Sequence, residues 1–122
     1  MIPRTHRFHG YNSLRHVYRH GQTARGPLFA VKAAANPRAK TYRLAVVVSR
    51  KVHKSAVARN RIRRRLYAAV RSLDTEIDTP HDIVLTVFSD GVLAEPAQSL
   101  TRLVARQLSA AGVLARRARP KA

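Results

Sequence analysis

Between Ser49 and Arg71 the chain carries nine lysines and arginines and no acid: Arg50, Lys51, Lys54, Arg59, Arg61, Arg63, Arg64, Arg65 and Arg71. The chemistry open to such a set is phosphate binding, because a guanidinium offers forked N–H donors that match a pair of phosphate oxygens. Holding them in one array requires a helix, and the spacing predicts one. On a wheel turning about 100° per residue around Ile62, the residues Ala58, Leu66, Ala69 and Leu73 fall within roughly 40° of it. Asn60, Arg64, Tyr67 and Arg71 lie opposite, Arg61 and Arg63 sit on the shoulders, and Arg59 and Arg65 border the apolar stripe. Ser55 is the expected N-cap, its hydroxyl accepting an early backbone N–H. A solvated helix gains from acid–base pairs four residues apart, whereas like charges at that spacing cost roughly 0.2–0.5 kcal/mol per pair. Arg59 with Arg63 and Arg61 with Arg65 make two such pairs. The face therefore calls for a polyanion.

Bond-breaking chemistry is poorly provided for. A metal-dependent nuclease site needs clustered carboxylates, since Mg2+ takes oxygen ligands, and all six acids (Asp74, Glu76, Asp78, Asp82, Asp90 and Glu95) fall from residue 74 onward. Asp74, Glu76 and Asp78 read as loop acids beside a basic helix. Of the six histidines, His16 and His20 have a metal-compatible spacing of four but no third ligand, and His81 reads as structural. The absence of cysteine rules out a disulfide framework and a Cys-ligated zinc site. No catalytic residue and no metal ligand are assigned to the protein itself.

The length, 122 residues, is that of one domain. The first 73 residues hold 18 of the 24 lysines and arginines and none of the acids, so the net charge of +18 resides there and residues 74–122 are neutral. That imbalance implies a nucleic-acid partner. No apolar run approaches the roughly 18 residues of a membrane span, and the N-terminus lacks an apolar signal core. No membrane partner is expected, and the cytoplasm is the expected compartment.

Residues 1–10 read as a basic arm and residues 116–122 as a frayed basic tail. From Asn12 or Ser13, Leu14, Val17 and Tyr18 recur at helical spacing, with Gly21 as the stop. Residues 22–26 read as a loop, 27–35 as a strand and 36–40 as a basic turn. Residues 42–49 are nearly all apolar, the pattern of a central strand covered on both faces, and they deliver Arg50, Lys51 and Lys54 to the sheet edge. An acidic loop over 74–80, a strand over 82–88 and a last helix follow. Pro96 is expected in that helix's first turn, and Ala97, Leu100, Val104, Leu108, Ala111 and Leu114 form its apolar stripe. The fold class is α+β, a single small domain ordered helix, strands, helix, strand, helix.

Arg59-Asn60-Arg61-Ile62-Arg63-Arg64, preceded at the right distance by Ser49-Arg50-Lys51-Val52 and Lys54, resembles the signature of the bacterial ribonuclease P protein subunit. The likeness runs over most of the chain, with two departures: Tyr67 stands where the family usually has Arg, and His53 where it usually has Gly. The resemblance implies the family's left-handed crossover between parallel strands, against the usual hand. It also implies a ribonucleoprotein whose RNA subunit, with Mg2+, removes the 5′ leader of precursor tRNA. The protein would bind no cofactor and require no protein partner.

By that resemblance Arg50, Lys51, Lys54, Arg59, Asn60, Arg61, Arg63, Arg64 and Arg71 would meet RNA. A cleft between the sheet and the first helix would hold the single-stranded leader, lined by Phe8, Tyr18, Phe29, Val31, Val46 and Val48 with Arg50 beside them. Two other readings share the charge and size. A small ribosomal protein would bring down ribosomal RNA, and a helix-turn-helix DNA binder would lack the strands over 42–48 and 82–88.

Overall fold

The computed structural model describes residue 17 and residues 21–35, 41–77 and 80–113. The expected first helix lies outside them except for Val17, which is helical and wholly buried. The arm, the basic turn over 36–40 and the tail also lie outside.

Four strands form one sheet: β1 (Gln22–Arg25), β2 (Phe29–Ala35), β3 (Arg43–Val47) and β4 (His81–Val87), in the order β1-β2-β4-β3. β1, β2 and β4 pair antiparallel, and β3 pairs parallel with β4. The two helices are α1 (Ala56–Arg71) and α2 (Ala97–Ala110).

Strand alternation divides the sheet into two faces. Ala24, Phe29, Val31, Ala33, Leu44, Val46, Ile83, Leu85 and Val87 join Ile62 and Leu66 of α1 and Leu100, Val104 and Leu108 of α2 in the main core. The opposite face carries Ala30, Lys32, Ala34, Arg43, Ala45, Val47, Val84 and Thr86. On it Val17 packs against Ala34 and Val84. The two helices thus cover one side, and the other is open toward its β1/β2 end.

Several sequence expectations need correction. Residues 22–25, expected as loop, form a strand because Thr23 and Arg25 can face outward while Ala24 enters the core. The strand over 43–47 is an edge rather than the centre: its burial alternates, and Val47 remains 37% exposed. The central position belongs to β4, which is buried on both faces over Ile83–Leu85. The last helix stops at Ala110, short of the stripe drawn to Leu114, which lies outside the described residues. Gly112 takes φ +82° and lets its own N–H and that of Val113 return to Ser109 O and Leu108 O, the left-handed ending that glycine adopts without a Cβ clash. Pro96 is that helix's N-cap rather than a first-turn residue, and the acidic loop contains a 3-10 turn over Asp74–Glu76.

Polar side chains fasten the layers. Gln107, buried on α2, donates from Nε2 to Ala24 O (3.1 Å) and Phe29 O (2.9 Å). It fits only because residue 26 is glycine, since a Cβ there would lie 2.1 Å from Gln107 Oε1. Arg43 donates from Nε and Nη2 to the two carboxylate oxygens of buried Asp82, both at 2.9 Å.

The Tyr42 hydroxyl donates to Asp74 Oδ1. Burial pushes the Tyr42 phenol well above its usual value of 10.0, and the Asp74 carboxylate adds to the rise. The folded state therefore holds this proton more tightly than the unfolded chain. Its contribution is complete below about pH 10 and is lost as pH climbs toward the folded value. Tyr42→Phe is expected to cost about 1 kcal/mol at neutral pH and to flatten the fall in stability above pH 10, measured by urea unfolding across that range.

Candidate nucleic-acid interface

The interface is built from the end of β3 and the start of α1. Ser55 caps α1, its Oγ accepting from Ala58 N at 3.2 Å, and the first turn contains no acid. The helix N-terminus therefore adds its own partial positive charge to the side chains around it. The turn before it is braced locally. Ser55 N donates to His53 Nδ1 (3.1 Å), and Arg59 Nη1 donates to His53 O (3.0 Å) and Lys54 O (2.9 Å). No non-glycine residue among those described has positive φ, so His53 makes this turn with ordinary backbone.

Ile62, Leu66, Ala69 and Val70 are the buried residues of α1, which aims the opposite side outward. Arg50, Lys51, Lys54, Asn60, Arg61, Arg64 and Arg71 are exposed. Arg59 and Arg63 are half-buried, with Arg63 Nη1 donating to Asn60 Oδ1 at 3.3 Å. The predicted residues from Arg50 to Arg64 thus run from the turn before α1 through its first half. Arg71 stands apart, about 10 Å further along the axis than Arg64 at 1.5 Å per residue. Its charge acts on the Tyr42 phenol.

Two residues of the helix behave differently from the wheel. Tyr67, placed outward by the sequence, is half-buried and packs on the core. Arg65, at the stripe's border, turns inward and donates to the carbonyls of Val92, Leu93 (3.0 Å) and Glu95. It ties α1 to the segment before α2 and is not part of the free positive face.

The predicted leader cleft is corrected in its parity. Phe29 and Val31 are 0% exposed, Val46 7% and Val48 6%, and all four belong to the core beneath α1 and α2. Alternation by one residue puts Ala30, Lys32, Ala45, Val47 and Thr86 on the open face instead, with Val17 at its edge. Phe8 and Tyr18 lie outside the described residues. Sequence reasoning also missed Phe88 beside this face, 39% exposed with the Arg25 guanidinium 4.3 Å from its ring centroid.

Among the described residues no group of three or more His, Asp or Glu gathers as metal ligands do. Nor, among them, is any helix long and apolar enough to cross a membrane.

Comparison with known proteins agrees with this architecture. Solved structures of the Staphylococcus aureus RNase P protein superpose with a TM-score of 0.77 at 21% identity, covering 90% of this chain and 98% of that one. The Thermotoga maritima RNase P protein gives 0.74 at 20% identity over 85% and 96%. In sequence, the ribonuclease P protein component of Picosynechococcus is 35% identical over 86 residues, 70% of this chain and 73% of that protein. That of Chloroflexus aurantiacus is 35% identical over 97 residues, 80% and 70% of the two chains. The family model for ribonuclease P matches residues 2–111. With the fold, the arginine helix and these relatives in agreement, the chain belongs to the ribonuclease P protein family, as a protein component of that ribonuclease.

Proposed function

We propose that this protein binds the catalytic RNA of ribonuclease P through the exposed cations around the start of α1 and receives the 5′ leader of precursor tRNA on the open sheet face. The carrying observation is the run of Arg50, Lys51, Lys54, Asn60, Arg61 and Arg64 through the turn before α1 and the first half of that helix, all exposed and without an acid on the helix. Arg59 and Arg63 extend that surface while bracing it, and Arg71 serves a more distant phosphate. Lys32, Val47 and Thr86 face the leader, with Phe8 and Tyr18 assigned to the same cleft. The protein's part is electrostatic and positional. Hydrolysis belongs to the RNA subunit and its Mg2+, in the cytoplasm where precursor tRNA is matured.

The test is cleavage of a precursor tRNA by the cognate RNA subunit at low Mg2+, with and without the protein. Restored accurate 5′ maturation, and inertness without the RNA, supports the reading. No effect with that RNA sinks it and favours a ribosomal RNA partner. Replacing Arg61 and Arg64 together by alanine is expected to leave the fold within about 0.5 kcal/mol. It should make the salt dependence of RNA-subunit binding shallower by about two, at roughly 0.9 per duplex phosphate contact, as read from affinity against salt concentration.

A further inference from the structure

Arg25, after buried Ala24, faces the open side of β1, and its guanidinium over the ring of Phe88, the exposed residue that follows β4, places that ring beside the same face. An exposed aromatic ring and a guanidinium stacked at 4.3 Å hold each other's planes in place. Their location is set by topology. β1 ends, β2 begins, and β3 and β4 both end at the same end of the sheet. Arg50, Lys51 and the start of α1 follow from that end of β3.

The register draws one row across all four strands there: Arg25, Ala30, Thr86 and Val47. Its middle members are small, so the row forms a shallow floor. At about 4.8 Å between strands it spans roughly 14 Å from β1 to β3. Cations stand at the β3 end and the Arg25–Phe88 pair at the other, against two acids in the segment after β4, Asp90 and Glu95.

We propose that Arg25 and Phe88 form a stacking platform for an unpaired nucleobase of single-stranded RNA that crosses the sheet along this row. The inference rests on the open face being the leader surface and names the residues that fix the strand's far end. A flat apolar ring backed by a cation suits a base, which offers a π-face whatever its identity. Bases within a duplex are already stacked, so the platform favours unpaired RNA. The row's positive border suits a phosphate chain better than a neutral peptide.

The experiment titrates the full-length protein into single-stranded RNA oligonucleotides bearing 2-aminopurine at one position at a time, with a duplex of the same sequence as the reference. Wild type should change the fluorescence strongly at one position. Phe88→Leu should abolish that change and weaken single-strand binding about 5- to 100-fold, the range of one lost base stack, with the salt slope unchanged. Phe88→Tyr, which keeps the ring, should restore both. Arg25→Lys keeps the charge but not the planar stack and should weaken binding at an unchanged slope. Because Phe88 is exposed, unfolding of Phe88→Leu checks that the fold is intact. If Phe88→Leu binds the single strand like wild type, the platform is overturned while the leader reading stands. If wild type ignores the single strand, both fall. A variant that alters self-association and not RNA affinity assigns the patch to protein contact and overturns the proposal.

Discussion

Phe29→Ala is expected to destabilise the domain by about 3–5 kcal/mol, the cost of removing a fully buried aromatic side chain, seen as a lower urea midpoint at constant slope. Phe29 is 0% exposed, pairs with Val87 in the β2/β4 ladder and sits in the core with residues of both helices. Its carbonyl also accepts from Gln107, so a cavity here loosens the strand that α2 grips. The outcome distinguishes a core residue from a leader contact. A leader contact would lose RNA affinity with little stability, whereas Phe29→Ala, under conditions where it remains folded, should bind single-stranded RNA as wild type does. A stability loss below about 1 kcal/mol would return Phe29 to the surface and reverse the assignment of the two faces.

Arg65→Met is expected to cost about 3 kcal/mol with no change in the salt slope of RNA binding. Arg65 serves three carbonyls, those of Val92, Leu93 and Glu95. Hydrogen bonds from a charged donor are worth about 1.5–3 kcal/mol each, and the site's partial exposure lowers the sum. Methionine keeps the apolar stem and removes the donors. The neighbouring Arg61 and Arg64 are expected to behave in the opposite way, with stability nearly unchanged and the salt slope reduced. Thermal unfolding and salt titration on the three variants separate the roles. Equal slope changes at Arg65 and Arg61 would refute the inward role of Arg65.

Much of this was legible in the residues. Ser55 as cap and the stripe through Ile62, Leu66 and Ala69 announced α1, because helical period and capping are local properties. The arginine array pointed to phosphate for the same reason: repulsion at i,i+4 is written in the spacing. Which side of the sheet the helices cover is not local. Alternation in β2 separates Phe29, Val31 and Ala33 from Ala30, Lys32 and Ala34, and apart from Lys32 both sets are apolar, so a one-residue parity choice decided the cleft and went the wrong way. The apolarity of residues 43–47 suggested a central strand. It reflects instead one face in the core and small or half-exposed residues on the other. Arg65 lay on the border of the wheel, where direction depends on a partner 27 or more residues away, and spacing carries no information about that partner.

The placing of β4 between β2 and β3 has a consequence for how the chain comes into being. Neither neighbour can complete its ladder until residues 81–87 exist, and 33 residues separate Val47 from His81. At about 5–20 residues per second of synthesis that interval is roughly 2–7 s. When residue 73 has been added, the emerging chain presents two unfinished strand edges, the exposed apolar side of α1 and 18 of its 24 lysines and arginines, with no acid yet made. Sheet closure is then a long-range event, of the kind that sets slow folding. Nascent copies are polycations before they are domains, so RNA already present at the site of synthesis competes for them from the first seconds.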